Sequence, residues 1–286
     1  MHTYPYDASR ESLFTPGLAE NFFQLGAFDC EAALCAEMAR LAYVKDERRL
    51  DTYLDRAEFT RDLALGYGGK GTQVFIATKP AKKLTVLSFR GTETDDPSDL
   101  FSDANFLLTP WVDGHERAMG QVHKGFAEAL LTHRVLAIVI EHLSALDPGY
   151  RLLITGHSLG AALATLCASR LPPACLYTFG SPRVGDAVFA MAMRDVPHQR
   201  YVDCCDIVTR VPPEEFGYQH TGSLRYLDSR GHKLDQANEE QMNIDKSKAS
   251  ALYLMRQAFL HGNIFSRELA DHAPINYVSA VMGIRA

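Results

Sequence analysis

Residues 150–164 read YRLLITGHSLGAALA, and this stretch decides the expected fold. A short apolar run breaks at Gly156 and resumes after Gly160 as a row of small residues, with Ser158 midway between the two glycines. A Gly-x-Ser-x-Gly turn between a strand and a helix is typical of a nucleophile elbow, in which a tight turn lifts the serine hydroxyl clear of the backbone. Residues two before and two after the serine then have almost no room for side chains, and glycine needs none.

The pattern around this turn predicts an α/β fold with a mostly parallel central sheet covered by helices on both faces. Strands are predicted at residues 151–155, 176–179 and 201–202, after a leading hairpin formed by residues 72–78 and 84–89. Helices are predicted at residues 30–44, with Asp29 as the N-cap, and at residues 126–143. Because no repeat or long linker divides the 286 residues, we predict one domain over residues 1–286.

Composition excludes several classes of partner. A formal net charge of −6 leaves no general basic face for nucleic acid, and it argues against simple electrostatic adhesion to anionic lipid. No apolar run approaches the ~20 residues of a transmembrane helix, so any membrane contact would have to be transient and hydrophobic. The sequence carries no signal for an oligomeric state.

The beginning of the chain and the cysteines bear on location. MHTYPYDASRES has no charged-then-apolar export signal, which predicts a cytoplasmic protein, with a removed signal or another export route left open. The six cysteines form no C-x-x-C pair, and most lie in apolar runs. We interpret them as reduced core residues rather than a disulfide framework or a zinc site.

A serine nucleophile needs a base and a carboxylate that orients the base. In this architecture the chain order is serine, acid, histidine, and Asp206 follows a predicted strand, as Ser158 does. The histidines after Asp206 are His220, His232, His261 and His272. His272 lies in a loop ended by Pro274, where a base can protrude, and His220 lies in the loop FGYQHTG. Reasoning from the residues favours His272 but leaves both open.

The chain resembles the class 3 (fungal-type) triacylglycerol lipases of the α/β-hydrolase superfamily. Seven landmarks occur in the order of that family and cover about residues 72–280: LSFRGT at 87–92, VHKGF at 122–126, GHSLG at 156–160, TFGSPRVG at 178–185, DIVTRVPP at 206–213, GYQHTG at 217–222 and Asp271-His272. Residues 1–70 match less well.

The resemblance implies roles for particular residues. Ser158 is the implied nucleophile, Asp206 the acid and His272 the base, which assigns His220 to a structural motif. The implied oxyanion hole consists of Thr92 and the backbone N–H of Leu159, and Asp103 is implied to orient the Thr92 hydroxyl. Two such donors suit the negative oxygen of a tetrahedral intermediate. No cofactor or metal is expected.

A short lid segment is also implied after Thr92. Asp96 is a plausible N-cap and Pro97 fits the first helical position. The segment offers apolar residues that could contact lipid: Leu100, Phe101, Phe106, Leu107, Leu108 and Trp111. The alternative is a short connector that does not move.

We therefore expect a serine carboxylic ester hydrolase, a lipase that cleaves acyl glycerides or related lipid esters through an acyl-enzyme. One alternative keeps the chemistry and changes the substrate, to that of a phospholipase A1, a galactolipase, or a short-chain or feruloyl-type esterase. The other is a scaffold protein on the same fold without catalysis.

Overall fold

The central feature of the computed structural model is a large sheet that positions every other element. The structure describes residues 3–25, 30–67, 71–91, 106–234 and 237–286. Within those ranges the strands are β1 Thr60–Leu65, β2 Val74–Lys79, β3 Leu84–Phe89, β4 Leu108–Val112, β5 Ala118–His123, β6 Arg151–His157, β7 Cys175–Phe179, β8 Gly185–Asp186, β9 His198–Asp203, β10 Tyr218–Gln219, β11 Ser223–Leu227 and β12 Lys233–Leu234. The α-helices there are α1 Arg10–Phe14, α2 Glu31–Leu41, α3 Glu47–Asp55, α4 Lys124–Leu131, α5 Val135–Ser144, α6 Leu159–Arg170, α7 Ala187–Ala192, α8 Glu239–Arg256, α9 Arg267–Ala270 and α10 Pro274–Val281.

The described part of the chain forms an eight-stranded sheet in the order β1-β2-β3-β6-β7-β9-β11-β12. The five strands from β3 to β11 run parallel, and antiparallel strands flank them at both edges. A smaller antiparallel sheet has the order β10-β8-β5-β4. The predicted α/β-hydrolase fold with a mostly parallel sheet is confirmed. Because the parallel strands end at one edge, the loops after β6 and β9 lie on the same side of the sheet.

Helices cover both faces of the large sheet, which explains its alternating apolar residues. On β2, Phe75 and Ala77 pack with helices α2 and α10, whereas Val74 and Ile76 pack with α4, α5 and α6. Successive side chains of a strand point to opposite faces, so both faces must be covered when both sets are apolar. The sheet is therefore a buried layer between two cores.

Two predicted elements compare with the structure as follows. The hairpin is confirmed, since β2 and β3 pair antiparallel around a short 3-10 turn at Pro80–Lys82. The helix that starts near residue 30 is present as α2, but Cys30 occupies its N-cap and accepts from the Ala33 N–H at 3.5 Å. Asp29, the predicted cap, lies outside the described residues.

The single helix predicted over residues 126–143 is wrong. The chain instead forms α4 and α5, separated by a 3-10 turn at Thr132–Arg134. His133 and Arg134 both adopt the left-handed backbone conformation, with φ of 54° and 58°. Left-handed residues end an α-helix, whereas the apolar spacing runs through the break unchanged. The side-chain pattern therefore could not reveal it.

The assignment of Trp111 to a lid is also wrong. Trp111 lies on β4 and is 3% exposed, and its Nε1–H donates to the Ser169 hydroxyl on α6 at 2.8 Å. It belongs to the core beneath α6 and cannot reach lipid. Phe106 contacts the ring of Phe216 and Leu107 is exposed, whereas the predicted lid residues from Asp96 to Asp103 lie outside the described residues. Within the described residues, no helix is long and apolar enough to cross a membrane.

We predict that His198 makes stability depend on pH. Its ring is buried between the hydroxyls of Thr178 and Thr221, at 2.8 and 3.2 Å, and burial lowers its pKa to about 3. An unfolded histidine has a pKa near ~6.5. Below that pH the unfolded state therefore binds a proton that the folded state does not bind. As the pH is lowered, the free energy of unfolding should thus fall by up to about 1.4 kcal/mol per pH unit because of this one group.

His198→Gln should reduce this slope between about pH 6 and 4.5, where the unfolded histidine is charged and the folded one neutral. Urea unfolding at several pH values measures it. His115→Gln, in an exposed turn, is the matched control and should keep the wild-type slope. Equal slopes for His198→Gln and wild type would contradict the prediction.

Candidate active site

The turn at Ser158 has the geometry expected of a nucleophile elbow. Strand β6 ends at His157 and helix α6 begins at Leu159, leaving Ser158 alone in a strained conformation with φ 59° and ψ −129°. Positive φ is costly for a residue with a side chain and persists only where the surroundings impose it. The Ser158 N–H donates to the carbonyl of Phe179 on the neighbouring strand at 3.0 Å, which holds the turn against the sheet.

Two glycines make this turn possible because the backbone packs directly against them. A Cβ atom on Gly156 would lie 2.3 Å from the carbonyl oxygen of Gly160, and one on Gly160 would lie 2.2 Å from that of Phe89. Both distances are below any real contact. Helix α6 therefore sits closer to strands β3 and β6 than side chains would allow.

Ser158, His272 and Asp206 form a continuous hydrogen-bonded chain. The Ser158 hydroxyl is 2.9 Å from His272 Nε2, and His272 Nδ1 is 3.0 and 2.9 Å from the two Asp206 carboxylate oxygens. All three side chains are buried. With Nδ1–H donating to the carboxylate, Nε2 is left as an acceptor for the serine proton. The arrangement can therefore activate the hydroxyl as a nucleophile.

Asp206 is held in place by two further donors. The Val208 N–H donates to Oδ1 at 2.8 Å, and the Tyr277 hydroxyl donates to Oδ2 at 2.6 Å. The same Tyr277 oxygen accepts from the Asp203 N–H at 3.0 Å. Burial, and then the Asp206 charge, raise the pKa of Tyr277 well above its usual value, so it stays a donor. These bonds orient the carboxylate toward the histidine.

The residue before the nucleophile holds the backbone of His272. His157 Nε2 is 2.8 Å from the His272 carbonyl oxygen, which can only accept, so His157 donates there. Its Nδ1 then accepts from the Tyr43 hydroxyl at 2.8 Å. Burial, and next the neighbouring His272, lower the pKa of His157 well below its usual value, so this ring remains neutral. Helix α2 and the turn that follows it are thus linked through Tyr43 to the loop of His272.

Asp271, beside His272, is a second buried carboxylate with a structural set of partners. It accepts from Arg267 Nε at 3.1 Å, from the Tyr6 hydroxyl at 2.7 Å and from the Cys205 N–H at 3.0 Å. Its oxygens also lie within 4.8 Å of the thiol sulfurs of Cys204 and Cys205, a spacing that could in principle hold a metal. The donors already on Asp271, one of them a guanidinium, compete with any cation. The cluster therefore fits a hydrogen-bonded support for the His272 loop better than a metal centre.

Of the proposed oxyanion donors, the structure describes Leu159. It is the first residue of α6, and the N–H groups of a first turn have no carbonyl partner within the helix. They lie at the positive end of the helix dipole, where a negative oxygen is favoured. Thr92 and Asp103 lie outside the described residues. Gly91, the residue before Thr92, is described. A Cβ on Gly91 would lie 3.1 Å from Ser158 Cβ, so the chain leaves β3 beside the serine.

His220, the histidine that competes with His272, has another partner, and so has His123. His220 Nε2 donates to the Thr209 carbonyl at 2.8 Å, and burial lowers the pKa of this ring well below its usual value. His123 caps helix α4 by accepting from the Phe126 N–H. Neither makes a hydrogen bond to Ser158 within the described part of the chain. The geometry brings His272, and not His220, to the serine.

Sequence reasoning missed four residues of the site. Tyr43, His157 and Tyr277 were not singled out, although each is bonded directly or through one side chain to the triad. The fourth, Gly180, has φ +58°, and a Cβ there would lie 2.8 Å from Asp206 Oδ2. Buried tyrosines seldom lie unbonded, which is a weak signal. The position of Gly180 directly after strand β7 is a stronger one.

Comparison with known proteins finds several that are named lipases. Residues 86–216 match the model of the family described as lipase (class 3). A lipase of Rhizomucor miehei is 33% identical over 171 residues, which are 54% of this chain and 45% of that protein. The secreted mono- and diacylglycerol lipase 1 of Fusarium solani is 36% identical over 176 residues, which are 58% and 50%. A solved structure, described as a triacylglycerol lipase whose catalytic centre is a serine protease triad, is 27% identical with a TM-score of 0.53, covering 68% of this chain and 77% of its own.

These matches limit and correct what the sequence suggested. The chain spans about half the length of the curated relatives it matches. The predicted cytoplasmic location is wrong by this comparison, because relatives of this chain are secreted lipases, the Fusarium solani protein among them by name. A missing export signal at the start of a sequence is a poor guide, since the pattern is lost with the leader when it is cleaved.

We predict that Gly160→Ala destabilises the fold. An added methyl group would clash with backbone of β3, which cannot rotate away as a side chain can, so the cost should reach the upper end of overpacking, about 3 kcal/mol. Chemical denaturation measures it. The matched control is Gly149→Ala, where the new Cβ would meet only the end of the Asp147 side chain, at 3.2 Å. Similar stabilities of the two variants would show that α6 can move away from the sheet.

Proposed function

We propose that the protein is a serine hydrolase that cleaves carboxylic esters of lipids, because its residues 86–216 match the class 3 lipase family. The observation that carries the proposal is the chain of hydrogen bonds from Ser158 Oγ through His272 to Asp206. A buried serine held in a strained backbone with its hydroxyl on a histidine supports a role as nucleophile.

The proposed reaction begins with attack of Ser158 on the ester carbonyl. His272 Nε2, at 2.9 Å, accepts the hydroxyl proton and becomes an imidazolium, which then donates that proton to the leaving alcohol. Asp206 stabilises the positive ring through Nδ1–H. Because Val208 and Tyr277 also donate to Asp206, the direction of its carboxylate is fixed before the reaction starts.

The negative oxygen of the intermediate needs donors that are already in place. We propose the Leu159 N–H, at the start of α6, and Thr92 for this role, with Asp103 orienting the Thr92 hydroxyl. The close approach of Gly91 to Ser158 supports the choice of Thr92, which follows it in the chain. Losing one such donor typically costs ~10²–10³ in rate.

The second half of the reaction releases the acyl group. The product alcohol leaves, and water takes its place beside His272. The histidine then accepts a proton from water while the water oxygen attacks the acyl carbonyl on Ser158. The ester bond to Ser158 breaks, His272 returns the proton to the serine oxygen, and the carboxylic acid leaves. Each atom transferred comes from ester or water, so the proposed reaction needs no metal or cofactor.

The proposed substrates are acyl glycerides, since the relatives are named lipases and one is a mono- and diacylglycerol lipase. We also propose that the protein acts outside the cell, like that secreted relative. A panel of p-nitrophenyl esters of increasing chain length, followed by triglyceride and phospholipid emulsions, separates a lipase from a phospholipase or a short-chain esterase.

We expect Ser158→Ala to abolish ester hydrolysis without unfolding the protein, because alanine keeps the Cβ and removes only the reactive oxygen. Hydrolysis of a soluble p-nitrophenyl ester and labelling by a fluorophosphonate measure this. Ser169→Ala is the matched control, since Ser169 is also a buried serine but bonds to Trp111 in the core. Turnover above a few per cent of wild type in Ser158→Ala would show that another group is the nucleophile.

His272→Ala should cost about as much activity as Ser158→Ala, because members of a triad act as a unit. His220→Ala is the control: the ring bonds to the Thr209 carbonyl, so its loss should affect stability more than turnover per folded molecule. Steady-state kinetics, corrected for the folded fraction by circular dichroism, distinguishes the two. A folded but inactive His220→Ala beside an active His272→Ala would reverse the assignment.

A further inference from the structure

Six large apolar side chains are exposed between the last turns of α8 and the start of α9. They form what we call the apolar tip, and they are Leu252, Leu254, Met255, Phe259, Leu260 and Phe265. Met255 is 81% exposed, Phe259 77% and Phe265 63%. A soluble protein seldom exposes so many apolar groups in one short stretch unless they contact something.

The frame beneath the apolar tip is well packed. Ala249 and Tyr253 on the opposite face of α8 are buried, and so are Ala258 and Ile264 in the following turn. The Tyr253 hydroxyl donates to the Ile264 carbonyl at 2.6 Å, which joins the helix to the turn. Phe259 and Phe265 meet edge to face, with ring centroids 5.6 Å apart. This packing fixes which side chains of the apolar tip face solvent.

The charges around the apolar tip differ from those of the whole protein. The chain has a net charge of −6, yet residues 246–267 contain four lysines and arginines and no aspartate or glutamate. Of these cations, Arg267 is buried and paired with Asp271. Lys248 and Arg256 are exposed, and in the described part of the chain neither lies within salt-bridge distance of a carboxylate. Apolar side chains flanked by free cations are the composition that binds an anionic lipid surface.

The shape favours lipid over a second copy of this chain. Side chains that are 63–81% exposed protrude from a helix end and a turn, and do not form a flat patch. A stable protein interface needs a broad, complementary surface, whereas a fluid lipid layer accepts protruding groups. The apolar tip is also joined to the site: Phe265 is followed by Ser266, the N-cap of α9, and this short helix leads to His272.

We propose that the apolar tip docks the protein on lipid–water interfaces that carry anionic lipid. The apolar tip shares no residue with the lid predicted near residues 96–106. Its use in catalysis rests on the proposed function, because docking there would bring the loop of His272 to the interface. Binding itself does not depend on catalysis.

The test uses the full chain carrying Ser158→Ala, so that no lipid is hydrolysed. Partition onto vesicles of phosphatidylcholine, with and without phosphatidylglycerol, is measured by co-sedimentation. Phe259→Ser and Phe265→Ser should each reduce partition about tenfold, since each removes an exposed aromatic ring that docking would bury in lipid. Arg256→Gln should reduce it about fivefold, and only on vesicles that contain phosphatidylglycerol.

A matched pair of methionines separates the apolar tip from general exposure. Met255→Ser should weaken binding, whereas Met191→Ser, 61% exposed on α7, should not. Equal effects of the two, or no binding to either vesicle, would overturn the proposal. So would sedimentation velocity that shows a dimer in the Ser158→Ala chain and a monomer after Phe259→Ser, since the occupant would then be a second copy. Failure of ester hydrolysis in the unmodified chain would refute the proposed function and leave this measurement intact.

Discussion

The strained backbone at Ser158 is the constraint on which the rest of the site depends. A positive φ for serine is unfavourable and is imposed here by β6 on one side and α6 on the other. Both elements can approach because Gly156 and Gly160 let backbone touch backbone. The same approach places the first turn of α6, with the Leu159 N–H, directly after the serine. One turn thus supplies both the nucleophilic oxygen and the positive end of a helix dipole.

Around this turn, buried neutral histidines connect polar groups by hydrogen bonds. His157 connects Tyr43 to the carbonyl of His272, and His198 connects two threonine hydroxyls. A neutral imidazole carries one donor and one acceptor, so it bridges two groups without the cost of burying a charge. The triad histidine differs because its donor faces a carboxylate. The distinction between these rings lies in their partners.

Much of the fold can be predicted from the sequence because the spacing of apolar residues and the positions of small residues are local signals. The hairpin, the elbow and the parallel sheet depend on alternation and on glycines at fixed positions, which can be read directly. The break between α4 and α5 has no such signal, since His133 and Arg134 adopt left-handed conformations that their residue types do not favour. Trp111 seemed suited to a lid only because burial against Ser169 cannot be read from an apolar segment.

The candidate site was less accessible to sequence reasoning because it is built from distant parts of the chain. Ser158 and His272 are 114 residues apart, and spacing alone left His220 open. Tyr277 lies on α10 and Tyr43 lies in the turn after α2, and both rings are buried, so in the sequence they resemble ordinary core residues. The loop before α10 brings these distant parts together. Its residue Asp271 accepts hydrogen bonds from Tyr6, Arg267 and Cys205. The carbonyl of His272 accepts one from His157. The base therefore lies on a loop fixed from both sides, and from that fixed backbone its ring reaches Ser158.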